Sequence, residues 1–179
     1  MANNYASSEE TVTGDFEEFF RENYSSLWRF VARRLPPSMV DDIVSTSFVV
    51  AWGKFASVNN PSLPWLYRIA NYEVSNARRK QRREGLRITS VEFEEVAAPR
   101  GETFDGSLVR SAMAALSESD QEILRLVLWD ELHREDIGRV LGITTNAVNV
   151  RFHRALKNFE RSAVIPPHLY PAKEGPHGQ

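Results

Sequence analysis

Apolar residues recur at three- and four-residue steps along most of the chain, a spacing that predicts helices rather than strands. After Gly14 the series Phe16, Phe19, Phe20, Tyr24, Leu27, Trp28 and Val31 marks the buried face of a first helix. Asp15 stands at its N-cap and Glu18, three residues on, completes a capping box. Pro36-Pro37 ends it. Ser38 then caps a second helix, whose stripe is Val40, Ile43, Val44, Phe48, Ala51, Trp52 and Phe55. Residues 56–64 have turn chemistry, and Pro64 suits the first turn of a third helix. That helix runs through Trp65, Leu66, Ile69, Ala70, Val74 and Ala77 into a cluster of arginines. The three stripes predict three helices sharing one core.

From residue 85 to 107 the period fails, and acids, small residues, Pro and Gly alternate without pattern. Periodicity returns with Leu108, Val109, Met113 and Leu116, and a further helix starts at Ser117 and continues through Ile123, Leu124, Leu126, Val127 and Leu128. A short helix through Ile137, Val140 and Leu141, a turn at Gly142 and a longer helix from about Thr145 to Arg161 complete the pattern. The expected fold is all-α, with two small helical domains, 15–84 and 108–162, joined by a flexible linker at 85–107. Residues 1–14 and the Pro- and Gly-rich 163–179 are expected to be disordered.

Length and composition fit this plan and narrow the chemistry. The chain has 179 residues, enough for two small domains, and its absence of cysteine excludes disulfides, thiolate metal sites and cysteine nucleophiles. Nothing in it is long and apolar enough to cross a bilayer, and its start lacks the features of a secretory signal, so a cytoplasmic protein without membrane insertion is expected. No glycine-rich phosphate loop, acid cluster or activated nucleophile is recognisable, so neither enzyme activity nor a cofactor is expected. No metal site is expected either. His153 lacks companion ligands at suitable spacing.

The net charge of −2 conceals strong local separation. Between Arg68 and Arg87 there are seven basic residues against the two acids Glu73 and Glu84, and a second basic group lies at Arg151, Arg154, Lys157 and Arg161. A nucleic-acid binder needs such patches rather than a basic total. The stretch from His133 to Arg161 has the layout of a helix-turn-helix. In its second helix Ala147, Val148, Phe152, Leu156 and Phe159 suit a core, whereas Thr145, Asn146, Asn149, Val150, His153 and Arg154 would face outward. Asn and Arg can bond base edges in the major groove, and Val or Thr methyls can meet thymine.

These blocks together resemble the extracytoplasmic-function (ECF) group of the sigma-70 family of bacterial RNA polymerase sigma factors. Region 2 is resembled by DDIVSTSFVVAW followed by PWLYRIANYEVSNARRKQRR, and region 4 by LSESDQEILRLVLWDELHREDIGRVLGITTNAVNVRFHRA, in the family's order and covering most of Asp15 to Arg161. The resemblance implies a factor that directs core RNA polymerase to promoters and assists their melting. It places Asp42, Ser45, Thr46, Phe48 and Trp52 at, or in support of, the polymerase contact, with Trp52 expected in the core. The family's usual Gln-Glu is Ser45-Thr46 here. Asn59, Asn60 and Ser62 would read bases of the −10 element, with Tyr72 and Asn76 on the adjoining helix. Arg78, Arg79, Lys80, Arg82 and Arg83 would hold the phosphates of the melted strand. Tyr72 replaces an Asn usual in the family. Trp65 and Tyr67 could stack on bases, but at helical spacing they belong with the core. The −35 duplex would be read by Thr145, Asn146, Asn149, Val150, His153 and Arg154, with Arg151 nearby. Asn149 stands where Lys or Arg is usual, and Val150 where Ser is frequent.

The implied partners are core RNA polymerase, promoter DNA in duplex and melted form, and an anti-sigma factor. Two other readings stay open from the residues alone. A conventional helix-turn-helix regulator would bind duplex DNA without polymerase, and a helical adaptor would carry its basic clusters as solvated faces.

Overall fold

The computed structural model describes residues 4–84 and 106–163, and these form seven α-helices with no strand among them. The helices are α1 (Asn4–Ala32), α2 (Pro37–Phe55), α3 (Leu63–Arg83), α4 (Gly106–Ala114), α5 (Glu118–Leu128), α6 (Arg134–Leu141) and α7 (Thr145–Ser162). The expected linker lies outside the described residues except for Gly106 and Ser107, which open α4. The expected disordered tail lies outside them except for Ala163.

Two expected helix starts are corrected. Helix α1 begins at Asn4, so the stretch before Gly14 is helical where disorder was expected, and Asp15 is an interior residue rather than an N-cap. A glycine within a helix costs only about 1 kcal/mol relative to alanine, which does not stop an established helix. Helix α2 begins at Pro37, with Pro36 rather than Ser38 at the N-cap. A proline at the first helical position has no amide hydrogen to leave unpaired, and its ring fixes φ in the helical range.

Helices α1, α2 and α3 pack on one another around Leu27, Phe30, Val31, Val40, Val44, Ala51, Leu66 and Ala70, all of them buried. Phe30 stacks on Tyr67 with ring centroids 4.3 Å apart, and the Tyr67 hydroxyl donates to the carbonyl of Ser26 at 3.3 Å. Trp65 is half-buried against Phe19. Both aromatic residues therefore belong to the core. Each such side chain contributes about 1.5–3 kcal/mol by leaving water. The expected α1 stripe was too wide. Phe20, Tyr24 and Trp28 remain exposed at the edge of the bundle, although Phe20 and Tyr24 touch the buried Phe48 ring.

In the C-terminal domain α5, α6 and α4 pack against α7, burying Ile123, Leu124, Leu126, Ile137, Val140 and Val148. Leu128, expected in the stripe of α5, is exposed. The two domains do not stand apart. Helix α3 packs against α6, and the apolar core runs continuously through both domains.

Candidate nucleic-acid interface

The turn between α6 and α7 is built around two glycines. Gly142 ends α6 in the left-handed conformation with φ 67°, and the amide of Ile143 donates back to the carbonyl of Gly138 at 3.0 Å. This is a Schellman-type ending, in which the residue past the turn satisfies a carbonyl of the last helical turn. The chain folds back so tightly that a Cβ on Gly138 would lie 2.8 Å from the Ile143 carbonyl oxygen. Thr144 then caps α7, its hydroxyl accepting from the amide of Ala147 at 3.2 Å.

Helix α7 buries Val148 and Ala155 and half-buries Ala147, Phe152, Leu156 and Phe159, while the guanidinium of Arg134 sits 4.0 Å above the Phe152 ring. The opposite face carries Asn146, Asn149, Val150, Arg151, His153 and Arg154, all exposed, with Thr145 half-buried at its start. Val150 is 62% exposed. Arg154 is tethered to Asp120 at 3.4 Å, and Asn158 donates to the other oxygen of the same carboxylate at 2.8 Å. The outward face expected from the sequence is assembled, and one of its cations is held from beneath.

In the N-terminal domain the loop before α3 exposes Asn59 and Asn60 and half-buries Ser62, which is the N-cap of α3. Asn60 takes a left-handed φ of 61°, a conformation that asparagine tolerates better than most residues. Along α3, Tyr72 is exposed and Arg79 donates to the side chain of Asn76 at 2.5 Å. Arg79, Lys80, Arg82 and Arg83 rim an open groove of about 760 Å³ between α2 and α3, with Met39, Asp42, Ile43, Glu73, Asn76 and Ala77 as its other lining. Arg78 is the exception in this cluster. Its guanidinium donates to the carbonyl of Arg34 at 2.9 Å, and burial holds its pKa below the usual arginine value.

The five residues expected at the polymerase contact do not share one surface. Asp42 lines the groove beside the arginines, Phe48 is buried beneath α1, and Thr46 is half-buried. Ser45 and Trp52 are exposed, Trp52 at 45% with its ring set edge-on to Phe16. The expectation of a core tryptophan is therefore corrected. Position 52 lies at the margin of the α1–α2 contact, where a large ring covers apolar surface on one side and meets water on the other. Val49, which the sequence did not single out, lies between these two on the same strip of α2 and is 71% exposed.

A charged cluster between the domains was also missed. Arg34, in the turn just past α1, is fully buried and donates to both oxygens of Glu122 and to Asp130, while Arg33 pairs with Asp130. Burial opposes the charge on Arg34, but the two carboxylates override it and raise its pKa. The pKa of Glu122 is lowered despite its burial, chiefly by Arg34. A pair of arginines just before the helix-ending prolines was the available signal.

Among the described residues no group of three or more His, Cys, Asp and Glu could hold a metal ion, and no helix is long and apolar enough to cross a membrane.

Residues 19–84 match the family described as sigma-70 region 2, and residues 107–159 match sigma-70, region 4. The chain is 28% identical over 151 residues to RNA polymerase sigma factor YlaC of Bacillus subtilis, covering 78% of this chain and 86% of that one. It is 23% identical over 154 residues to an RNA polymerase sigma-E factor of Streptomyces coelicolor, covering 84% and 86%. Among solved structures it shares the fold of the sigma factor RpoE of Bartonella quintana, seen in complex with the anti-sigma factor NepR. The TM-score is 0.65 at 22% identity, over 85% of this chain and 98% of that one.

Proposed function

The chain belongs to the extracytoplasmic-function group of sigma-70 family RNA polymerase sigma factors, and from that premise we propose how its domains divide the work of promoter recognition. A sigma factor is a transcription initiation factor rather than an enzyme. Matches to both regions favour this function over that of a regulator acting on duplex DNA alone. The carrying observation is that one chain displays two separate faces suited to nucleic acid, the outer side of α7 and the basic rim of α3.

Residues 108–162 serve as the −35 reader. Asn149, Val150, His153 and Arg154 meet base edges in the major groove, and Thr145, Asn146 and Arg151 set the helix against the backbone. Residues 15–84 serve polymerase and the −10 element. Asn59, Asn60, Ser62, Tyr72 and Asn76 hold the unpaired bases, and Arg79, Lys80, Arg82 and Arg83, joined by Arg78 when it is released, hold the phosphates. The strip of Ser45, Val49 and Trp52 on α2 is the polymerase contact, with Asp42 and Thr46 beside it and Phe48 supporting it from below. Any chemistry belongs to the polymerase, and the protein works in the cytoplasm where polymerase and promoter are. The relative of known structure bound to an anti-sigma factor supports an analogous protein inhibitor covering parts of both domains.

Binding to a promoter fragment carrying a premelted −10 segment tests this division. Core polymerase together with this protein retains the fragment where neither does alone, and affinity falls steeply as salt rises. Equal retention by the protein without polymerase, on any duplex, would overturn the reading.

A further inference from the structure

A buried carboxylate lies beneath the outward face of α7. Asp120 is 5% exposed, and its two oxygens go to two side chains of the recognition helix one turn apart, Arg154 at 3.4 Å and Asn158 at 2.8 Å. We propose that Asp120 is a positioning residue for promoter recognition, which fixes the guanidinium of Arg154 so that it reads one base pair of the −35 element instead of sliding along phosphates. The inference rests on the assignment of α7 to that element and deepens it.

The local sequence puts this charge where it is tolerated. Asp120 stands in the first turn of α5, behind the N-cap Ser117, whose hydroxyl accepts from the Asp120 amide at 3.2 Å. The unpaired amides and the dipole of a helix N-terminus favour a negative charge there. From that anchor the side chain crosses to α7. The Asn158 amide holds one carboxylate oxygen and so leaves the other aimed at Arg154.

Arg151 and Arg154 share the exposed face, yet they are held differently. The side chain of Arg151 has no ion-pair or hydrogen-bond partner among the described residues. A long free cation meets any phosphate within reach, and such a contact carries no sequence information. Arg154 is anchored through one terminal nitrogen while its side chain stays 60% exposed. A guanidinium has five donors in a rigid plane, so one engaged below leaves enough for a two-bond contact with the edge of guanine above. Fixing that plane before binding removes rotamer freedom that an arginine otherwise loses on meeting a base. The carboxylate also repels phosphate, which weakens binding to all sequences alike and leaves the base contact to decide among them. An ion pair with one exposed partner adds little to stability, so the fold does not depend on this contact.

The test presents core polymerase and the full chain with promoter fragments in which the −35 region is randomised and a premelted segment stands at −10, and the retained fragments are sequenced. The parent prefers one base pair through Arg154, and Arg154→Ala abolishes that preference. Asp120→Asn keeps the shape and still accepts from Asn158 but carries no charge. It lowers the preference at the same pair about fivefold, a part of what a bidentate contact gives. Preferences at the other pairs are unchanged, and retention of scrambled duplex holds or rises, because a negative charge beside the DNA has been removed. In the Arg154→Ala background Asp120→Asn has no further effect on preference. A merely structural role would lower retention of every sequence together, and that result overturns the proposal. Should Asp120→Asn unfold, as circular dichroism would reveal, Asp120→Glu, which keeps the charge but displaces the oxygens by one methylene, decides by the same ratio. A preference lost in Arg154→Ala but untouched in folded Asp120→Asn overturns the positioning role alone. Arg154→Ala with every parental preference intact removes the base assignment of Arg154, and the proposal with it.

Discussion

Arg34 and Asp130 meet at 2.8 Å with neither side chain exposed to water, although 96 residues separate them in the chain. One lies just past the end of α1 and the other just past α5, in the turn that leads into the helix-turn-helix. The contact ties the stability of the two domains together. In the parent protein, urea should unfold both in one cooperative transition. Asp130→Ala leaves two buried guanidiniums without their shared partner, a loss of about 3–5 kcal/mol if the cluster stayed dry. Undocking hydrates the arginines instead, so the variant should show two transitions. One transition at the parent's midpoint would contradict the coupling.

The tight turn between α6 and α7 makes a second prediction. Alanine is a better helix former than glycine by about 1 kcal/mol, yet Gly138→Ala should destabilise the protein. Its methyl would press on the backbone oxygen of Ile143, and an overpacked site of this kind costs about 1–3 kcal/mol. Gly142→Ala has open space around it and loses only the left-handed preference, about 1 kcal/mol. Thermal denaturation should place the midpoints of both variants below the parent's.

Tyr67 contributes to the loss of stability at alkaline pH. Burial, with a smaller contribution from Asp130, raises the pKa of its hydroxyl to about 12 from an ordinary value of 10. The folded state therefore holds this proton more tightly than the unfolded chain does. Stability is fully present below pH 10 and declines as pH rises from 10 toward 12. Urea midpoints should fall across that window, and Tyr67→Phe should flatten this part of the fall while losing about 1 kcal/mol at neutral pH with the hydrogen bond to Ser26. An equally steep decline in Tyr67→Phe would place the titrating group elsewhere.

On the recognition helix, base readers and phosphate holders should separate by sequence dependence. Asn149→Ala should weaken the preferred −35 element by about 1–3 kcal/mol and relax the choice at one base pair, whereas Arg151→Ala should weaken all sequences alike and lower the salt dependence. Competition binding by the polymerase holoenzyme across single-base variants of the element measures both.

The helices were legible because each needs one apolar stripe, and the stripes of α2, α3 and α7 survive in Val44, Leu66 and Val148. The boundaries that failed at Asp15 and Ser38 did so where capping chemistry competed with weaker but sufficient alternatives. Exposure at Phe20, Tyr24 and Trp52 was not legible, since periodicity locates a face but not how far the neighbouring helix covers it. Of the candidate site, the outer residues of α7 and the basic run of α3 followed directly from charge and spacing. The diversion of Arg78 and Arg82 toward the second domain did not. It depends on Glu118 and Glu122, which local sequence places only on a different helix.

The most direct test is transcription from a promoter library by purified core RNA polymerase, with and without this protein, with every transcript start sequenced. Starts that depend on the protein and share a pair of upstream elements centred near −10 and −35 are expected. Binding to duplex DNA without any protein-dependent start would contradict the sigma-factor function.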